Sequence, residues 1–240
     1  MKSWKQAFWL AKSEWKVSIV NIFLSWLILT IVTLIFLTSF NRYMEENYIG
    51  FDIFFLLVFS FGPFLFRSKY FQYKNVSGHI WASPTLIMQA QLPIPKDILA
   101  KSRLIIYFAY LLPFILTIFP IMYIGYSPIR EVLSLPVYLV FVIIWICYCL
   151  YFGILLPASD VGDYATPKRM TYYFIFSFII FFGIFIFFYK VLGYGIVAWT
   201  IRVAQNWPFL AIIISVILLV VSWKFMLFYM KKTMKKLDYM

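Results

Sequence analysis

Apolar runs of about 18 to 24 residues recur six times along this chain, separated by short polar segments, and that spacing constrains its fold more than any other feature. At roughly 1.5 Å per residue, helices of that length match a hydrocarbon layer about 30 Å thick. Of the 240 residues, 64% are hydrophobic, and the mean hydropathy is +0.90. A single water-facing core of this size cannot hide so much apolar surface, so lipid must serve as part of the solvent.

The expected fold is therefore all-α: a polytopic membrane protein with about six transmembrane helices, forming one membrane domain over residues 1–240. The spans are expected at residues 17–40, 48–66, 104–125, 135–156, 171–189 and 207–228. Ahead of the first, residues 1–16 place Trp4, Phe8, Ala11 and Trp15 at steps of four, three and four, with lysines elsewhere around the wheel. That pattern predicts an interfacial amphipathic helix. A cleaved leader is not expected, because the amphipathic segment comes first and the run after it is too long for a leader's apolar region. Between the last two spans, the apolar segment 191–204 is only about 14 residues long, bounded by Lys190 and interrupted by Arg202. It predicts a re-entrant or interfacial segment rather than a full crossing. Pro113 and Pro120 should kink the third span unless neighbouring helices satisfy the freed carbonyls. Cys147 and Cys149, two apart in one run, point to different faces and are expected as free thiols.

A net charge of +12 could indicate nucleic acid, but the basic residues lie in the short segments between apolar runs, where a nucleic-acid reader would not gather them. Counted in alternate segments, seventeen Lys and Arg fall in the N-terminal stretch, the 67–103 loop, the turn before the fifth span and the C-terminal end. Only four, Arg42, Arg130, Lys190 and Arg202, fall on the other side. This bias predicts both termini and the long loop in the cytoplasm. The 28 Phe and 18 Tyr, with many Ile and Lys, fit an A+T-rich bacterial genome and hence a bacterial cell membrane.

Catalytic signatures are scarce. No GxxxxGK[ST] phosphate loop is present, and Gly193 with Gly195 lacks the third glycine of a dinucleotide fingerprint. His79 is the single histidine and has no HExxH partner, so no metal site is expected. Glu45-Glu46 resembles the start of the paired-glutamate motif of membrane CAAX-type proteases, but the arginine that should follow is missing. No catalytic residue, cofactor or enzymatic activity is expected. Asp52, in the first turn of the second span, is expected to face the headgroups and favour its own helix N-terminus. The fifth span is Phe-rich around its whole circumference, which fits lipid and helix packing.

The loop between the second and third spans is the most informative segment. Ser83-Pro84 predicts a helix start that runs until Pro93 stops it, and a second start at Pro95 leads into the third span. Two short helices there would make a handle for a soluble partner; a basic loop lying on anionic lipid is the plainer alternative. The run Leu92-Pro93-Ile94-Pro95-Lys96-Asp97-Ile98-Leu99-Ala100-Lys101 resembles permease subunits of type 2 ATP-binding-cassette exporters, which often read Leu-Pro, a short gap, a basic-acidic pair, apolar residues and a basic residue. The likeness extends to an N-terminal elbow helix, six spans and an external re-entrant segment after the fifth. It implies that residues 83–101 carry a coupling helix for a separate ATP-binding-cassette ATPase subunit, with Leu92, Pro93, Pro95, Lys96, Asp97 and Lys101 at the contact. It also implies a homodimer or pairing with a second permease. Pro95 departs from the family pattern, and the spans hold too few polar residues to name a substrate. The rival reading is a non-enzymatic immunity or regulatory membrane protein.

Overall fold

The computed structural model describes residues 2–65, 67–77, 80–164 and 166–236; His79 lies outside them. Helix α1 covers Lys2–Leu37, α2 Phe40–Glu46, α3 Ile49–Leu65, α4 Pro84–Ala90 and α5 Lys96–Gly125. Then follow α6 at Ser127–Val132, α7 at Leu135–Gly153, α8 at Leu155–Val161, α9 at Pro167–Ile186, α10 at Ile196–Asn206 and α11 at Pro208–Lys236. A π-helical segment, Phe187–Leu192, prolongs α9. Five helical stretches are long and apolar enough to cross a membrane: α1, α5, α7 with α8, α9 with the π segment, and α11. The apolar helix α3 is shorter.

The expected division between an interfacial helix and the first span is absent: α1 runs as one helix of 36 residues. No Gly or Pro lies between Lys2 and Leu37 to break it. Its buried stripe is not Trp4, Phe8, Ala11 and Trp15. The stripe is Ala7, Ala11, Glu14 and Ser18, small apart from the glutamate, and Ala11 packs with Ile106 and Tyr110 of α5. Phe8 stays 47% exposed.

Helix α5 continues through Pro113 and Pro120 for 30 residues. Residues 67–103, expected as two short helices in a loop, also supply a hairpin, β1 at Lys74–Ser77 and β2 at Ile80–Ala82. Strand β3, Asp163–Tyr164, pairs antiparallel with β2, setting Trp81 opposite Asp163. Its sequence is too short and polar to announce a strand.

The main core lies between α3, α5, α7 and α10, where Phe51, Phe55, Phe59, Phe114 and Trp145 are buried. A second cluster, with Leu86, Leu99, Ile154, Met230 and Met234, joins the long loop to the C-terminal part of α11. Both described chain ends and the loop therefore share one end of the bundle, here the termini end. At Gly153 the close approach of α5 leaves no room for a Cβ, which would meet the Tyr107 ring. The Tyr107 hydroxyl donates to the Cys149 carbonyl there at 2.6 Å. Cys147 and Cys149 are free thiols, as their spacing predicts.

Candidate functional site

Leu92, Pro93, Pro95, Lys96, Asp97 and Lys101 divide into an exposed tip and a tethered foot. Ser83 and Pro84 start α4 as the sequence predicts, with Ser83 extended and Pro84 in the first turn, although the Ser83 side chain makes no capping bond. The chain then turns through Leu92, Pro93 and Pro95, all exposed, with Leu92 55% accessible. Pro95 is the N-cap of α5; its carbonyl accepts from the Ile98 amide at 2.9 Å. Because proline has no N–H to satisfy, this position loses nothing by it. From the tip, the chain enters a 30-residue helix with no joint between.

The foot is held by both ends of the chain. Lys96 Nζ donates to the Met234 carbonyl at 2.6 Å, and Lys231 Nζ donates to Asp97 Oδ1 at 2.8 Å. Lys101 pairs with Asp97 Oδ2, donates to Ser3 Oγ at 2.9 Å, and lies over the Trp4 ring. Lys231, near the C-terminal end of α11, is thus part of the foot.

Behind the foot lies a buried charge lattice. Arg67 donates to Glu14 Oε1 from Nε at 3.1 Å and Nη2 at 2.8 Å, and to Asp160 Oδ1 from Nη1 at 2.6 Å. Arg103 donates to Glu14 Oε2 at 2.9 Å and to Gln89 Oε1 at 3.0 Å. The Asp160 carbonyl accepts from the Ser83 amide at 3.0 Å. All four charged side chains are at most 3% exposed. Two cations face two anions, so the lattice is neutral overall and each charge has a direct partner. Burial alone would pull the Arg67 pKa down; Asp160 and Glu14 more than offset it and hold it above its ordinary value. The lattice thereby ties α1, the segment after α3, α4, α5 and α8 together directly beneath the exposed tip.

At the opposite end, Asp52 is fully buried instead of facing headgroups, and the helix start it serves is that of α10 instead of its own. Its Oδ2 accepts from the Ile196 amide at 2.6 Å and the Tyr189 hydroxyl at 2.8 Å. Its Oδ1 accepts from the Val197 amide at 2.9 Å and the Tyr43 hydroxyl at 2.8 Å. The Tyr43 oxygen accepts in turn from the Ala198 amide at 2.7 Å. Three of the orphan N–H groups that open any helix are thus matched by one carboxylate and one phenol. Burial first, and then the Asp52 charge, push the Tyr43 pKa well up, so the phenol remains a donor. Gly195 is required by close approach: a Cβ there would collide with the Tyr43 hydroxyl and Asp52 Oδ2.

The lattice is not legible in the sequence: Arg67 and Arg103 bound a basic loop and Asp160 stands in the segment before the fifth span, with no pattern to mark them as partners. One signal was available: Glu14 is the sole acid before Glu45, and it continues the Ala7, Ala11 register on the buried stripe. Compared with known protein families, characterised proteins and solved structures, the chain matches none.

Proposed function

We propose that this chain is the membrane-spanning permease subunit of an ATP-driven exporter, energised by a separate ATP-binding-cassette ATPase that docks on the tip at residues 92–95. In this reading α3 completes a set of six spans, the termini end faces the cytoplasm of a bacterial cell, and α10 is a re-entrant segment on the outer side. At about 16 Å, the 11 residues of α10 are too few to cross. The permease acts as a homodimer or with a second permease.

The observation that carries this reading is the continuity of tip and span. An apolar, proline-bounded turn projects from the termini end and passes without a joint into α5, while the lattice prevents it from folding back independently. A push on Leu92 or Pro93 must therefore reach α5 and, through Glu14, α1. A basic loop that merely lay on lipid would need neither the buried lattice nor the tethered foot.

The test is a tip variant, Leu92→Glu with Pro93→Ser, compared with the wild type when each is co-expressed with ATP-binding-cassette ATPase subunits from the source genome. Both positions are exposed, so membrane level and melting temperature should match the wild type. ATPase co-purification should fall strongly, because the contact loses its apolar centre and gains a buried charge. Wild-type chain that never co-purifies with such a subunit would sink the reading in favour of an immunity or regulatory role. Reversing Lys96 and Asp97 is a poorer test: a lysine at 97 would face Lys101 and Lys231 and disturb the foot itself.

A further inference from the structure

Between α3, α7, α10, α11 and the π segment runs a groove of about 270 Å³, walled by Leu56, Ile144, Tyr148, Phe188, Trp199 and Leu218. Three of its polar wall groups are matched inside the protein. Trp145 Nε1 donates to Thr200 Oγ1 at 3.2 Å, Thr200 donates to the Val197 carbonyl at 2.7 Å, and the Tyr148 hydroxyl is bonded to Ser60 Oγ at 2.7 Å. A ligand in the groove therefore meets mostly hydrocarbon and aromatic rings. The volume lies near the lower end of ligand clefts, about 300 Å³, which suits one chain rather than a whole amphiphile.

What lies beside the groove is cationic. Phe188 of the π segment meets Trp199 of α10 edge to face, with centroids 5.5 Å apart, closing one wall. Lys190 lies two residues beyond Phe188, and Arg202 lies one helical turn beyond Trp199, on the same face of α10. The Arg202 guanidinium lies 3.4 Å from the Tyr194 ring centroid, which brings it to the turn that follows Lys190. Both cations are exposed, and among the described residues neither enters an ion pair. Among the described residues, none of the acids of this end pairs with them: Asp52 is consumed by its four donors, Glu46 is paired with Arg42, and the exposed Glu45 and Glu131 form no ion pair with either.

We propose that the groove is a binding site for an anionic glycerophospholipid, with one acyl chain between α7 and α10 and the headgroup phosphate at Lys190 and Arg202. The site requires only the chain itself, so it stands whether or not an ATPase docks at the other end.

The experiment uses the full chain, reconstituted in nanodiscs of equimolar phosphatidylglycerol and phosphatidylcholine, extracted into detergent and weighed by native mass spectrometry. The wild type should retain phosphatidylglycerol over phosphatidylcholine by roughly tenfold, as two cations near a headgroup imply. Ser215→Trp, which fills the groove from α11, should lose the retained lipid of either kind. Lys190→Gln with Arg202→Gln, both exposed positions, should still retain lipid but without preference, and this variant keeps the test decisive if Ser215→Trp does not fold. Equal retention of both lipids by the wild type would overturn the proposal, as would undiminished retention by folded Ser215→Trp. Lipid-free wild-type dimers would also overturn it, assigning the groove to a second copy.

Discussion

The two ends of the bundle bury carboxylates by different means. At the termini end, Glu14 and Asp160 face Arg67 and Arg103, charge against charge, in a lattice that is neutral overall. At the opposite end, Asp52 is surrounded by neutral donors, two phenols and two amides. The first arrangement binds whole elements together, because each cation belongs to a different segment from its anion. The second organises one local feature, the start of α10, and its strength lies in the number of donors and their fixed directions. Loss of the carboxylate therefore has different consequences: in the lattice it orphans a buried charge, and in the Asp52 knot it orphans only dipoles.

The largest expected effect follows from that asymmetry. Glu14→Ala leaves Arg103 and half of Arg67 without an anion, and breaking a buried pair in this way costs about 3–5 kcal/mol. Thermal unfolding in detergent, followed by tryptophan fluorescence, should show a large drop in midpoint. Adding Arg103→Met should recover part of it, since the orphaned charge is then gone. No recovery would mean that the lattice is held by packing rather than pairing.

Asp52→Ala should cost less, about 1–3 kcal/mol in all, because water entering the emptied space meets most of the four donors and leaves about one unmet. Asp52→Asn should fall between, because its single carbonyl oxygen still accepts from one or two of the four donors. Hydrogen exchange should locate the loss: the Ile196 and Val197 amides should exchange faster while α1 and α5 stay protected. Faster exchange spread over the whole chain would make Asp52 a global element like Glu14 and erase the contrast.

Tyr189→Phe removes one donor and should cost about 1–2 kcal/mol. Its readout lies in α9, which packs on little besides its own π-helical extension and leaves Phe174, Phe176 and Phe178 exposed. Exchange in α9 should rise while the amides at the start of α10 remain protected by Asp52 and Tyr43. The smallest effect is expected at Arg42→Ala. Its pair with Glu46 is exposed on both sides, and such i,i+4 pairs barely stabilise a helix, so the melting midpoint should not move measurably.

Much of the backbone plan was legible in the sequence because its signals are local. Apolar run length located the long helices, Ser83-Pro84 and Pro95 marked the starts of α4 and α5, and the shortness of 191–204 set α10 apart from the spans. The sites were hidden for the opposite reason. Glu14, Arg67, Arg103 and Asp160 meet across sequence separations as large as 93 residues, and no periodicity reports such a meeting. Asp52 was misread because its nearest helix start is its own, whereas it serves one that begins 144 residues later. The continuity of α1 was missed for a subtler reason: a change from amphipathic to uniformly apolar composition alters what surrounds a helix without giving the backbone any cause to bend.

That continuity has a mechanical consequence. Thirty-six residues make a rod of about 54 Å, and the bilayer's hydrocarbon can cover only about 30 Å of it. The helix is therefore longer than the hydrocarbon it could cross, with Ser3 and Trp4 close to one end and Lys101 gripping it there. When a bilayer thins or thickens, a single helix accommodates the mismatch by changing its tilt, and a lever turns a small change in tilt at one end into a larger sideways displacement at the other. A change in the tilt of α1 would therefore bear first on Lys101 and the start of α5.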